Sequence, residues 1–293
     1  MARGDLSLSS IVVSPFELMV PLPDCVTVEL GHIPKGLPQD MEARDFDFAV
    51  VTETINLHEH ETHVLTRGLV HRSRLEQLVR VGATLERSDP LILTSELEMN
   101  QEGDLSVADL LERMAHYTLA IVVDPESLGC GDGEVMRYSY GLVTISDLNK
   151  PTFRAAVYKE LATLEVALAG LVQAGYPDPL AWIERVQDEA EKQRILDYWR
   201  QSQIDRVNVG PEAGANLAHL LNAVAAKPEL YRRLGYESRN RFEQVTGSLA
   251  QVRNQVMHPV RPLIRSRDDC SGLLGSLRLV LDICSRSQDP GQP

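Results

Sequence analysis

Cysteine is scarce and scattered in this chain: Cys25, Cys130, Cys270 and Cys284 stand far apart, with no Cys-x-x-Cys spacing. That excludes a zinc ribbon and a disulfide framework and leaves reduced core thiols as the expectation. Long apolar runs are missing as well. No stretch approaches the roughly 20 residues a membrane span needs, and the N-terminus carries no signal-peptide pattern, so the expectation is a soluble, cytoplasmic protein. The histidine-rich segment His58-Glu59-His60-Glu61-Thr62-His63 lacks the His-Glu-x-x-His spacing that puts two imidazoles on one helix face. Strands on either side make it a solvated hairpin turn, and no metal site is expected.

Positive charge is in deficit over the whole chain, whose formal net charge is −13 across 293 residues. The deficit is not uniform. Residues 1–150 hold 11 Lys+Arg against 25 Asp+Glu, whereas residues 151–293 hold 18 against 17. In the second half Arg232, Arg233, Arg239, Arg241, Arg253, Arg261, Arg265 and Arg267 lie close in sequence, with only Glu237 and Glu243 among them. A local basic patch suffices to attract phosphate even when the rest of the protein is acidic.

The first half repeats one order of elements, the sign of an internal duplication. Residues 25–30 alternate as a strand, 35–44 read as a helix, 46–51 as a second strand, and a third strand ending at Gly68-Leu69-Val70-His71 leads into a helix opened by Ser73. The second copy runs from a strand at Leu91-Ile92-Leu93 through a helix begun at Ser106 to strands at 120–124 and 140–145. The expected fold is α+β, with a first βαββα copy over 1–85, a second over 86–151 and an all-α bundle over 152–293.

The run Gly141-Leu142-Val143-Thr144-Ile145-Ser146-Asp147-Leu148 resembles the end of a CBS domain, a βαββα module that works as a tandem pair and binds adenine nucleotides. A threonine hydroxyl and the N–H groups of a helix start suit a phosphate, and a carboxylate three residues on can accept from both ribose hydroxyls. The resemblance implies Thr144 as the phosphate contact, Asp147 as the ribose contact and Ser146 between them, with an adenine nucleotide as regulatory ligand. The first copy departs from the pattern, with His71 in place of the threonine and Arg74 in place of the aspartate.

From Thr152 onward the apolar period changes from two to 3.6. Leu161, Leu164, Leu168, Leu171 and Val172 form one stripe, and Glu165 falls inside it, where a carboxylate is costly without a partner. Arg253 is the candidate partner. Further helices are expected over 180–201, 213–226 and 271–284, and the helix carrying Arg253 is expected to start at Ser248 in a capping box. Arg253-Asn254-Gln255-Val256-Met257-His258-Pro259 packs a cation, an amide and an imidazole into two helical turns. Asn254 and His258 share a face, Arg253 stands one step around, and Pro259 places His258 at the helix end.

This Arg-Asn-x-x-x-His pattern resembles the signature of HEPN domains, helical bundles many of which are metal-independent endoribonucleases. The resemblance implies an enzyme in which the RNA 2′-hydroxyl attacks the adjacent phosphate. His258 would move protons, Arg253 would stabilise the phosphorane and Asn254 would orient His258 or the phosphate, with Glu165 in support. It also implies a homodimer with a composite site and no catalytic metal. The Ser146 to Pro151 run, followed by Arg154, resembles the junction of CBS pairs fused to HEPN domains. Two readings stand: a nucleotide-regulated RNase, with toxin or phage-defence effector as its biological role, and a non-catalytic adenine-nucleotide sensor whose helical domain mediates dimerisation or partner binding.

Overall fold

A computed structural model describes residues 8–18, 20–21, 25–44, 46–58, 61–87, 89, 98–100, 105–117, 119–124, 139–207 and 209–288. The chain forms two compact units, one holding residues 14–105 and 116–147, the other residues 1–13, 106–115 and 148–293. The architecture is mixed α and β, with small sheets in the first unit and a helical C-terminal region in the second.

In the mixed unit, strand β1 (Val20–Pro21) precedes β2 (Thr27–Glu29), α1 (Leu37–Ala43), β3 (Phe48–His58), β4 (Glu61–His71) and α2 (Arg72–Val81). Strand β2 pairs parallel with β3 because α1 provides the crossover, and β3 pairs antiparallel with β4 because only two positions separate them. The pairing of His58 with Glu61 puts the histidine-rich segment at the hairpin end, with residues 59 and 60 outside the described residues. Val26, Val28, Met41, Ala49, Val51, Val70, Leu75 and Leu78 share one buried cluster. The cap of α2 differs from expectation: His71 takes the position assigned to Ser73, its Nδ1 accepting from the Ser73 amide at 3.1 Å.

The order then repeats in β5 (Glu98–Asn100), α3 (Val107–His116), β6 (Leu119–Asp124) and β7 (Ser139–Thr144). Again the first strand is parallel to the second and the second antiparallel to the third, while β1 joins the far side of β7. The sheet order is therefore β1-β7-β6-β5. Helix α3 starts after Ser106, whose Oγ accepts from the Asp109 amide at 3.3 Å. The strand expected at Leu91-Ile92-Leu93 lies outside the described residues.

The helical unit is organised around α4 (Pro151–Gly175), with α5 (Glu189–Ile204), α6 (Leu217–Ala225), α7 (Pro228–Arg233), α8 (Arg239–Thr246), α9 (Leu249–Met257) and α10 (Arg267–Gln288). Phe153, Val157, Leu161, Leu164, Leu168, Leu171 and Val172 of α4 are buried at helical spacing, and α6, α7, α9 and α10 pack on that helix. Two helix starts fall later than the apolar pattern places them. The Asp188 carboxylate accepts from the amides of Ala190 and Glu191, so α5 begins at 189 and not near 180. Asn216 and His219 form a reciprocal capping box that starts α6 at 217 and not 213. The capping box expected at Ser248 is absent, because Ser248 already has helical backbone angles and makes no side-chain cap bond. Cys25, Cys270 and Cys284 are free and buried. Burial pushes the Cys270 and Cys284 thiols up to about 11, so both stay protonated at neutral pH and pack as small apolar groups.

Candidate active site at the end of helix α9

Helix α9 buries Leu249 and Val256 and turns its other side outward. The face that carries Arg253 packs on α4, where Arg253 Nε donates to Glu165 Oε1 at 3.0 Å. The two side chains are 25% and 20% exposed, which places the pair at the rim of the bundle core. The cation required by a glutamate in the α4 stripe is therefore Arg253. Because the inner nitrogen Nε serves Glu165, the two terminal nitrogens of the guanidinium remain for an anion. They are the pair best suited to two phosphate oxygens.

Asn254 and His258 are both exposed. They are joined through the backbone, His258 N–H donating to Asn254 O at 3.1 Å, and His258 occupies the C-cap with φ −105° and ψ 89°. Neither side chain has a hydrogen-bond partner among the described residues, so the amide and the imidazole are open to a ligand. Nearby on the chain, Arg261 and Arg265 are exposed, and their guanidinium groups make no hydrogen bond or ion pair among the described residues. The last turns of α9 and the residues that follow thus carry a fixed cation, a free amide, a free imidazole and two further exposed arginines. Such a set offers hydrogen-bond donors and positive charge to a phosphodiester and an imidazole for proton transfer.

The loop that follows is held from an unexpected quarter. Pro259 has no N–H, so the α9 carbonyl of Gln255 loses its usual i+4 donor. Arg154 supplies the replacement, its Nη1 donating to Gln255 O at 2.7 Å and to Val256 O at 3.3 Å. Its Nη2 donates to Arg261 O and its Nε to Asn149 O at 3.0 Å. Arg154 is 6% exposed and has no carboxylate partner among the described residues. Burial draws its guanidinium below the ordinary value, and four carbonyl acceptors, two of them at a helix C-terminus, offset that cost. Asn149 completes the hold. Its Oδ1 accepts from the amides of Leu263 at 2.5 Å and Ile264 at 3.0 Å, while its Nδ2 donates to Ile264 O at 2.8 Å. The sequence shows both residues only as part of the junction, with no role assigned; its one signal is the carbonyl that Pro259 leaves without a donor, which calls for a group without saying which.

The second candidate site, after β7, is brought together as well. Thr144 donates to Asp147 Oδ2 twice, from its amide at 2.7 Å and from its hydroxyl at 2.8 Å. Asp147 is 6% exposed, Thr144 half-buried and Ser146 exposed. At the matching place in the first copy the side chains serve local structure. His71 caps α2, and Arg74 pairs with Asp89, whose carboxyl is held below its usual range by the Glu86 amide and by Arg74.

No protein-family model matches the chain. No curated protein matches it either. A solved structure similar to part of it is a hemolysin-like protein containing a CBS domain from Oenococcus oeni PSU, at 16% sequence identity and a TM-score of 0.33. That similarity covers 48% of this chain and 90% of the other. Among the described residues no helix is long and apolar enough to cross a membrane.

Proposed function

We propose that the helical unit is an endoribonuclease of the Arg-Asn-x-x-x-His type, cleaving RNA by attack of a 2′-hydroxyl on the adjacent phosphate. The observation that carries this reading is the Glu165–Arg253 pair, which fixes a cation beside an exposed Asn254 and His258. Arg253 binds the phosphate through its terminal nitrogens and holds the charge that builds in the phosphorane. His258 transfers a proton, Asn254 orients the phosphate or the ring, and Glu165 keeps the guanidinium turned the right way.

Cleavage needs a base at the 2′-hydroxyl and an acid at the 5′-oxygen, two places that one imidazole cannot serve at once. A second copy of the chain provides the other. Exposed apolar side chains border the site: Val166 follows Glu165 at 74% exposure, Met257 stands one turn beyond Arg253 at 43%, and Val260 follows Pro259 at 90%. In a homodimer they would be covered and the two His258 residues would share one phosphate. The same apolar border favours a second reading, in which the unit only dimerises or docks a partner. An adenine nucleotide is the regulatory ligand in either case, at Thr144, Ser146 and Asp147, where it would exchange the Thr144–Asp147 hydrogen bonds for its own.

The test is incubation of the purified protein with RNA, with and without EDTA and adenine nucleotides. EDTA-resistant cleavage that disappears in His258→Ala, and changes with nucleotide, is the expected result. No cleavage under any nucleotide condition overturns the nuclease reading and leaves the assembly reading.

A further inference from the structure

The loop after His258 contains two prolines, Pro259 and Pro262, within four positions. Two missing N–H groups prevent residues 258–264 from closing a regular hydrogen-bond pattern of their own. Among the bonds that orient this loop, one is internal: Arg261 N–H donates to His258 O at 3.0 Å. Others come from a segment more than a hundred residues away in sequence. Asn149 takes the amides of Leu263 and Ile264 and the carbonyl of Ile264, and Arg154 takes the carbonyls of Gln255, Val256 and Arg261. The contacts fall on both sides of His258, two to three residues before it and three to six after it.

We propose that Asn149 and Arg154 are positioning residues for His258, a clamp that sets where the imidazole stands relative to Arg253. The inference deepens the nuclease reading and rests on it for its catalytic part. Four features of the clamp fit positioning better than plain stability. Arginine and asparagine are polar groups placed where apolar packing would stabilise a bundle at less desolvation cost. Their bonds go almost entirely to backbone, so they constrain the path of the loop whatever its side chains are. All three nitrogens of Arg154 donate to carbonyls, and the side chain is buried away from a substrate. Finally, Asn149 stands two residues after Asp147, so the chain that ends the second βαββα copy is the same chain that grips the catalytic loop. A ligand that shifted Asp147 would reach Leu263 and Ile264, at the far end of the loop that follows His258, through two residues of backbone and one amide side chain.

The test compares Asn149→Ala, Asn149→Asp and Arg154→Lys with the natural chain in two measurements. The first is hydrogen exchange at the amides of residues 256–264. Asn149→Ala is expected to speed exchange at Leu263 and Ile264 about tenfold or more with α4 and α10 unchanged, whereas Asn149→Asp keeps the Oδ1 acceptor and most of the protection. The second is RNA cleavage, in which Asn149→Ala and Arg154→Lys lower kcat about tenfold with KM within about twofold, since the substrate-binding arginines remain. Unchanged exchange overturns the clamp. Faster exchange with an unchanged kcat overturns positioning and leaves a structural tie. Absence of cleavage by the natural chain strikes the nuclease reading instead, and exchange alone then decides whether the loop is clamped.

Discussion

Removing either member of the Glu165–Arg253 pair tests how the candidate site is built, and its size can be worked from the geometry. The contact is a single Nε to Oε1 bond of 3.0 Å with both side chains about four-fifths withdrawn from solvent. At that distance Coulomb attraction is about 5 kcal/mol for an effective dielectric constant near 20, and desolvation cancels most of it. Exposed pairs contribute about 0–1 kcal/mol, and breaking fully buried ones costs about 3–5 kcal/mol. A coupling of about 1.5 kcal/mol is expected for this intermediate case. The measurement is a double-mutant cycle with Glu165→Ala, Arg253→Ala and both together, followed by urea unfolding. Tryptophan fluorescence is the suitable probe, because the two tryptophans, Trp182 and Trp199, both lie in the helical unit. If the proposed nuclease reading holds, cleavage assays should show the largest loss in Arg253→Ala, a smaller one in Glu165→Ala, where the cation is left undirected, and the smallest in Glu165→Gln, which is still an acceptor. A coupling below about 0.5 kcal/mol, together with full activity in Glu165→Ala, would refute the claim that this carboxylate orients the cation.

Two further outcomes follow from buried groups elsewhere in the bundle. Glu160 is 8% exposed, and burial raises its carboxyl above the ordinary range, with Lys159 opposing. The unfolded chain therefore gives up this proton more readily than the folded one, and stability falls as pH rises from the ordinary glutamate value through the raised one. Glu160→Gln should raise the urea midpoint at neutral pH, and the gain should vanish below that window. His219 shifts downward, chiefly by burial, while Glu191 pulls it up and Arg194 pushes it down. Its neutral ring accepts the Asn216 N–H at 3.4 Å in the α6 capping box. As pH falls below the ordinary histidine value the unfolded chain takes up the proton first, so stability drops with pH until the depressed folded value is passed. His219→Gln should flatten that part of the stability curve, and an unchanged slope between about pH 7.5 and about pH 5.5 counts against the assignment.

Which parts of the fold and site are legible in the sequence follows from where the physics is local. The repeated strand, helix, strand, strand order was legible because alternation and turn spacing act within a few residues, and the same holds for the helix end at His258, which Pro259 dictates. Glu165 was legible for a different reason. A charge inside an apolar stripe demands a partner, and Arg253 lies in another helix of the same bundle. Helices α7 and α8 were not foreseen, because Pro228–Arg233 and Arg239–Thr246 are short and arginine-rich and carry little apolar period. The late starts of α5 and α6 escaped for a related reason: Asp188 and the Asn216–His219 box decide them, and neither belongs to the apolar pattern. The membership of residues 106–115 in the helical unit is a matter of tertiary contact, to which periodicity is blind.

The clamp on the His258 loop belongs to a third class, in which the demand is local but the supply is remote. Pro259 removes a donor at a known position, and leaving a fully buried carbonyl unpaired would cost about 1–3 kcal/mol, so the partly buried Gln255 O is better served by a partner. Nothing in the neighbourhood of Pro259 identifies Arg154 as that group. Its remoteness is also what gives the arrangement its functional interest. A loop closed by its own hydrogen bonds would hold His258 independently of the rest of the molecule. A loop with two prolines, tied down by Asn149 and Arg154, instead takes its position from the first turn of α4 and the residues that lead into it. If an input at Thr144 to Asp147 is to govern chemistry at His258, a loop that relies on the intervening segment for its hydrogen bonds provides the means. The coupling need amount to only about 1–3 kcal/mol, which is the order of one or two of these bonds made or lost.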